Sequence, residues 1–241
     1  MAPPGMTDVP EARPASTVVL LRDSAGELET LLLKRNKALV FAGGMWVFPG
    51  GSLDQADFDA AGGDVERAAR IAAAREAREE AGVAPAPRDM VQLSHWTTPV
   101  GEPRRFSTWI FAAPLHSDDH VVIDGGEIHD SRWLSVREAI ARHEAGELAM
   151  LPPTYITLRN LSRYASVDEA VNSERETPVP EVFPVMIVEE DCMTVLFRGD
   201  AGYDDKSLSA TGARHRAELR GATWDYVRED VPPAYPSLIP E

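Results

Sequence analysis

The feature that most constrains the fold is one seventeen-residue run, VERAARIAAAREAREEA at residues 65–81. It is rich in alanine and other strong helix formers, with Asp64 placed to cap its start and Gly82 to stop it. Residues three and four apart share a helix face. Ala73, Ala74, Ala77 and Ala81 therefore make a small-residue stripe that can lie close against a sheet. Glu76, Glu79 and Glu80 converge elsewhere on the same helix.

Candidate strands surround this helix. Residues 17–22 (TVVLLR) and 28–34 (LETLLLK) read as a hairpin across the turn signal at 23–26. Residues 46–48 form a short strand that ends in Pro49-Gly50-Gly51, and residues 52–63 read as a loop. Further strands are expected at 91–97, 106–112 and 131–134, and helices at 136–143 and 154–164. Residues 165–180 look like a polar linker. A hairpin from 182–188 and 193–197 follows, and the last ten residues, with four prolines, are expected to lie over the surface. The pattern is α+β, an α/β/α sandwich, without fixing the topology. The expected organisation is a flexible Pro-rich tail at 1–15, a main domain at 16–165, and a C-terminal extension at 166–241 packed on it.

Charge narrows the partners. The net charge is −15, so nonspecific binding to nucleic acid or an anionic membrane is not expected. No apolar run nears the ~20 residues needed to span a bilayer, and a cytoplasmic location is expected. The single cysteine, Cys192, excludes an internal disulfide and a Cys-based zinc cage. Its apolar setting suggests a buried or half-buried thiol. The six histidines show no His-x-His or His-x3-His pair; His95 and His129 read as local hydrogen-bonding residues.

Three carboxylates on one helical face repel by roughly 0.2–0.5 kcal/mol per pair. A divalent cation removes that repulsion, and Mg²⁺ favours carboxylate oxygens together with water and phosphate oxygens. The alternative is a solvated charged face. Pro49-Gly50-Gly51 favours the metal, because backbone there can bend sharply and approach a phosphate closely.

At this point the chain resembles the Nudix hydrolases, whose motif is G-x5-E-x7-R-E-U-x-E-E-x-G-U with U apolar. Residues 75–83 (REAREEAGV) match its second half at every specified position, and Gly51 resembles the leading glycine. Gly51 lies 24 residues before Arg75, against 14 in the motif, so ten residues are inserted. Reckoned back from Arg75, the motif's first glutamate falls at Arg67, with Glu66 or Asp64 as substitutes.

The resemblance implies a Nudix fold with a mixed central sheet and a C-terminal extension. It also implies a Mg²⁺-dependent hydrolase, Mn²⁺ being the other candidate, that cleaves a phosphoanhydride of a nucleotide. Glu76 and Glu80 would be the main metal ligands, and Glu79 a further ligand or helper of the attacking water. Arg75 would orient the glutamates, and a carbonyl near Gly50 or Gly51 would complete the metal shell. Glu127, with Asp130 as rival, would add a further ligand or base.

Residues 31–35, 46–51, 96–99, 104–106 and 151–154 resemble the branch that includes peroxisomal coenzyme A diphosphatases. This implies coenzyme A or acyl-CoA as substrate. ADP-ribose, NADH or nucleoside triphosphate cleavage, or an inactive ligand sensor, are the alternatives. Arg35, Arg104 and Arg105 are candidate phosphate contacts, the alternative being surface ion pairs. Trp96 and Trp109 could stack on a base or fill a core. The C-terminal strands could serve as a homodimer arm.

Overall fold

The computed structural model describes residues 10–38, 42–115, 121–123, 125–189 and 192–239. In chain order the strands are β1 (Arg13–Ser24), β2 (Glu27–Arg35), β3 (Trp46–Val47), β4 (Gly50–Ser52), β5 (Val91–Thr97), β6 (Phe106–Pro114), β7 (Ile128–Ser135), β8 (Glu181–Val182), β9 (Val185–Glu189), β10 (Cys192–Leu196), β11 (Arg214–Arg220) and β12 (Thr223–Glu229). The helices are α1 (Gln55–Ala61), α2 (Val65–Ala81), α3 (Val136–Glu144), α4 (Pro152–Leu161) and α5 (Val167–Glu176).

The sequence around Val18–Leu21 is apolar at four successive positions, and all four side chains are fully buried. A strand so composed needs cover on both faces, and it has it. β1 sits inside a mixed sheet of order β3-β2-β1-β6-β5-β8, with β4 also on β1 and β7 on β2. The β1–β6 and β5–β8 pairs are parallel; the rest of the sheet is antiparallel. Val18, Leu20, Leu31, Leu33 and Phe111 pack on one face against Ala69, Ala73, Ala77 and Ala81 of α2. Val19, Leu21, Leu32 and Ile110 face the other way, into a core shared with α3, α4, α5 and the C-terminal strands. The layering is thus an α+β sandwich.

The β1–β2 turn has positive φ at both Ala25 (50°) and Gly26 (82°). That is the backbone hand that matches strand twist. α2 has the expected bounds. Asp64 accepts from the Arg67 N–H, and Gly82 closes the helix in the left-handed conformation.

Several expectations are corrected. Residues 52–63 are not all loop: Asp54 and Asp57 form a reciprocal cap that starts α1, and Gly62 ends it. Residues 165–180 contain α5, because Ser166 accepts from the Glu169 N–H and Val167 and Ala170 give it a buried stripe. β1 starts at Arg13, so residues 13–15 belong to the sheet rather than to a tail; residues 1–9 lie outside the described residues. The C-terminal strands form a four-stranded sheet, β12-β11-β10-β9, instead of one hairpin. β8 joins the main sheet beside β5. Cys192 is exposed, since it begins β10 at the sheet's rim.

Candidate metal centre

The site forms where residues 46–52 run between β2 and β1. β3 pairs with β2 through Lys34↔Trp46, and β4 pairs with β1 through Ser16↔Gly51 and Thr17↔Gly50. Pro49 cannot donate a backbone hydrogen bond, but its carbonyl accepts from the Val18 N–H (2.9 Å) and the Thr17 hydroxyl (2.6 Å). Both glycines sit at close approaches, Gly50 to the β1 backbone and Gly51 to the end of the Glu76 side chain. A Cβ at Gly50 would stand 2.7 Å from the Thr17 Cα, and one at Gly51 would stand 2.6 Å from the Glu76 Cδ.

α2 crosses this bend with Glu76 and Glu80 one turn apart. The Gly50 N–H donates to Glu80 Oε2 at 2.9 Å. Burial pushes the Glu80 carboxyl up to about 7, against the pull of the Gly50 N–H; Glu76 adds to the rise, Arg35 opposes it and Glu127 adds to it. Burial likewise raises the Glu76 carboxyl against its bond from Arg75. Glu79 is exposed beside them and is reached through Arg75.

Arg75 is the hub. Its Nη1 donates to Glu76 Oε1 (2.8 Å) and Glu79 Oε2 (3.1 Å), and its Nη2 to the Ser52 carbonyl (3.0 Å) and Asp57 Oδ2 (3.0 Å). Burial works to lower its pKa, but the bonds with Asp57 and Glu76 outweigh it and hold the guanidinium above its ordinary value.

Asp57 is the site residue that reckoning back from Arg75 missed. It is 2% exposed and caps α1 while gripping Arg75. It stands six positions after Gly51, the spacing G-x5-E demands, so counting forward from the glycine would have found it. The ten inserted residues follow Asp57. Arg67 is exposed, Asp64 caps α2, and Glu66 pairs with Arg70. None of the three takes the place of that first glutamate.

Arg35 and Glu127 also reach this region. Arg35 Nη2 lies 3.4 Å from Glu127 Oε2, and the Asn36 N–H donates to the Glu127 carbonyl at 2.8 Å. Arg35 Nε is buried and has no hydrogen-bond partner. Asp130 is set apart. It pairs in register with Lys34 on the sheet face opposite Arg35, and its carboxylate lies 3.5 Å from Arg132.

Two expected contacts, Trp96 and Arg105, are engaged elsewhere. Trp96 is buried in the second core: its indole N–H donates to Ser94 Oγ and its ring meets Phe197 edge-on, so no face is open to a base. Arg105 is tied to the Thr98 and Pro10 carbonyls, which fixes the β5–β6 turn and the start of β1. Arg104 is exposed in that turn. In register, Gly51 stands level with Ser16 and Trp109. The turn lies beyond Phe106, about 10 Å further along the sheet. Trp109 is half-buried and stacks on His95 at 4.2 Å.

Hard carboxylate donors and a cradle that only glycine permits fit a hard divalent cation. Among the described residues no three acidic side chains already form a cage. Arg75 stands between Glu76 and Glu79, so a cation would have to regroup the carboxylates.

A Nudix domain model matches residues 12–152 of this chain, more than half of its length. The chain belongs to the Nudix family. It is 30% identical over 122 residues to the acyl-coenzyme A diphosphatase NUDT19 of Gallus gallus, a match covering 47% of this chain and 32% of that protein. The chain therefore matches about a third of that relative's length. The crystal structure of a NUDIX hydrolase from Alicyclobacillus acidocaldarius superposes with a TM-score of 0.62 at 24% identity, over 72% of this chain and 100% of that one. That likeness shows the Nudix fold. Among the described residues no helix is long and apolar enough to cross a membrane.

Proposed function

We propose that the chain is a metal-dependent hydrolase that cleaves the diphosphate of a nucleoside diphosphate linked to another group, with coenzyme A or acyl-coenzyme A as substrate. The observation that carries the reading is the placement of Glu76 and Glu80 against the Gly50–Gly51 bend, with Arg35 beside them. The coenzyme A assignment is supported by the 30% identity to a protein named for that activity.

Glu76 and Glu80 would hold the cation, Mg²⁺ or Mn²⁺, with Glu79 and the Gly51 backbone completing the set. When bound, it supplies charge neutralisation at the bridging phosphates and a lowered pKa for water. Arg75, anchored by Asp57, keeps the glutamates oriented. The Arg35 guanidinium has donors to spare for phosphate oxygens, whose geometry matches its fork. Attack by water forms one P–O bond and breaks the bridging P–O bond. The water's proton passes to a carboxylate, Glu79 or Glu127, and the leaving phosphate departs with the bridging oxygen.

The test is product identification by mass spectrometry after incubation with Mg²⁺ and coenzyme A, NADH, ADP-ribose or GTP. Release of 3′,5′-ADP and 4′-phosphopantetheine is the expected result. Cleavage of another panel member alone would move the substrate, and no turnover of any would favour a ligand sensor.

A further inference from the structure

A buried hydroxyl beside the metal centre has no partner. Ser16 is 1% exposed, and its Oγ is buried without a hydrogen bond. Leaving a buried donor unmade costs stability. Such a group needs a physical reason to persist.

Its position supplies one. Ser16 alternates with Val18 and Leu20, whose side chains pack against α2, so it projects toward the same layer. It also stands directly across β4 from Gly51. Opposed Cβ positions lie about 5 Å apart. The place that a Cβ of residue 51 would take is filled by the Glu76 carboxylate. Register and close approach thus put the Ser16 side chain and the Glu76 carboxylate on the same side of the sheet, level with Gly51. Glu76 Oε1 is meanwhile held by Arg75.

We propose that Ser16 is a positioning residue for Glu76: its hydroxyl donates to the Glu76 carboxylate once that carboxylate is drawn onto a divalent cation. The proposal rests on reading Glu76 as a metal ligand. Groups that hydrogen-bond a ligating carboxylate typically contribute 10–100-fold to metal affinity. In the arrangement described, Arg75 takes Glu76 Oε1 and the Ser16 hydroxyl has no partner.

The experiment titrates Mn²⁺ into the full chain, reads free Mn²⁺ by electron paramagnetic resonance, and records metal-free melting of each variant. Ser16→Ala is expected to weaken Mn²⁺ binding about tenfold while metal-free melting is unchanged or raised. In a Glu76→Gln background the same change is expected to have no further effect on Mn²⁺ affinity. Wild-type affinity in Ser16→Ala would overturn the proposal and leave the metal reading standing. So would an equal loss in both backgrounds, which would place the hydroxyl's action elsewhere. Absence of Mn²⁺ binding by the unmodified chain would instead overturn the metal reading, and the proposal with it.

Discussion

With 6% exposure and a carboxyl pushed up to about 7, Glu80 is held in a place that suits a metal ligand better than a stable fold. Its folded pKa lies above its ordinary value of 4.5. The unfolded chain therefore gives up this proton first as pH rises. The contribution of Glu80 to the stability of the metal-free protein falls between about 4.5 and 7, and its full penalty applies above that window. Glu80→Gln removes the charge and can keep the bond from the Gly50 N–H. It is expected to raise the metal-free melting temperature at pH 8 by at least about 3 °C, and by less at pH 5. Turnover should drop at least ~10²-fold. Calorimetry at the two pH values and a rate assay check both halves; lower stability with normal turnover would contradict them. Asp57→Asn gives a second residue-scale prediction. With its carboxylate neutralised, Arg75 loses its buried anchor, and kcat should fall about tenfold or more with little change in KM. A raised KM at unchanged kcat would place Asp57 in substrate binding instead.

The helix of residues 65–81 was legible to the residue because its caps, alanine stripe and carboxylates all agree. α1 was not, because a short helix inside an insertion carries no periodicity long enough to read; only the Asp54–Asp57 cap and Gly62 mark it. α5 carried an S-x-x-E cap at Ser166–Glu169, but its polar composition and the nearby prolines resembled a linker. Trp96 of β5 shows another limit. A tryptophan beside motif residues looks the same in sequence whether it stacks on a ligand or fills a core, and tertiary packing on Phe197 decides it. At the level of elements, the two glycines of the bend should fail differently. A Cβ at Gly50 meets the backbone of β1, which cannot yield, so Gly50→Ala should cost about 1–3 kcal/mol of stability. A Cβ at Gly51 meets the end of the Glu76 side chain, which can swing away. Gly51→Ala should therefore fold normally and lose Mn²⁺ affinity. Denaturant titrations beside Mn²⁺ titrations separate the two, and equal unfolding by both variants would contradict the distinction.

Across the whole molecule, the second core joins the main sheet to the C-terminal strands. His143 is one fastener: its Nε2 accepts from the Trp224 N–H (2.9 Å), which leaves Nδ1 to donate to the Leu148 carbonyl (2.7 Å). Burial lowers its pKa from the ordinary 6.5, and burial also lowers that of His215, whose ring bridges Arg198 and Tyr226. Both are held neutral, so their contribution is fully present above about 6.5 and is lost as pH falls below it. The Glu80 trend runs the other way over this range, so the histidine part is read by difference: His143→Ala should be less stable than the unmodified chain at pH 7.5 by denaturant titration, and the gap between the two should narrow by pH 5.5. A pH dependence identical to the unmodified chain would remove His143 as a cause. β11 and β12 escaped the sequence reading because their alternation is broken by charged residues. Arg216 is buried on Asp200 through two 2.8 Å bonds, a pairing between residues sixteen apart that no local pattern announces.

A crystal of the full chain soaked with Mn²⁺, mapped by anomalous scattering, locates the cation itself. The peak is expected within bonding distance of Glu76 and Glu80 and close to the Gly50–Gly51 backbone, with Arg75 still on Asp57. A peak elsewhere, or a fully occupied peak with Glu80 still bound only to the Gly50 N–H, would contradict the metal centre described above.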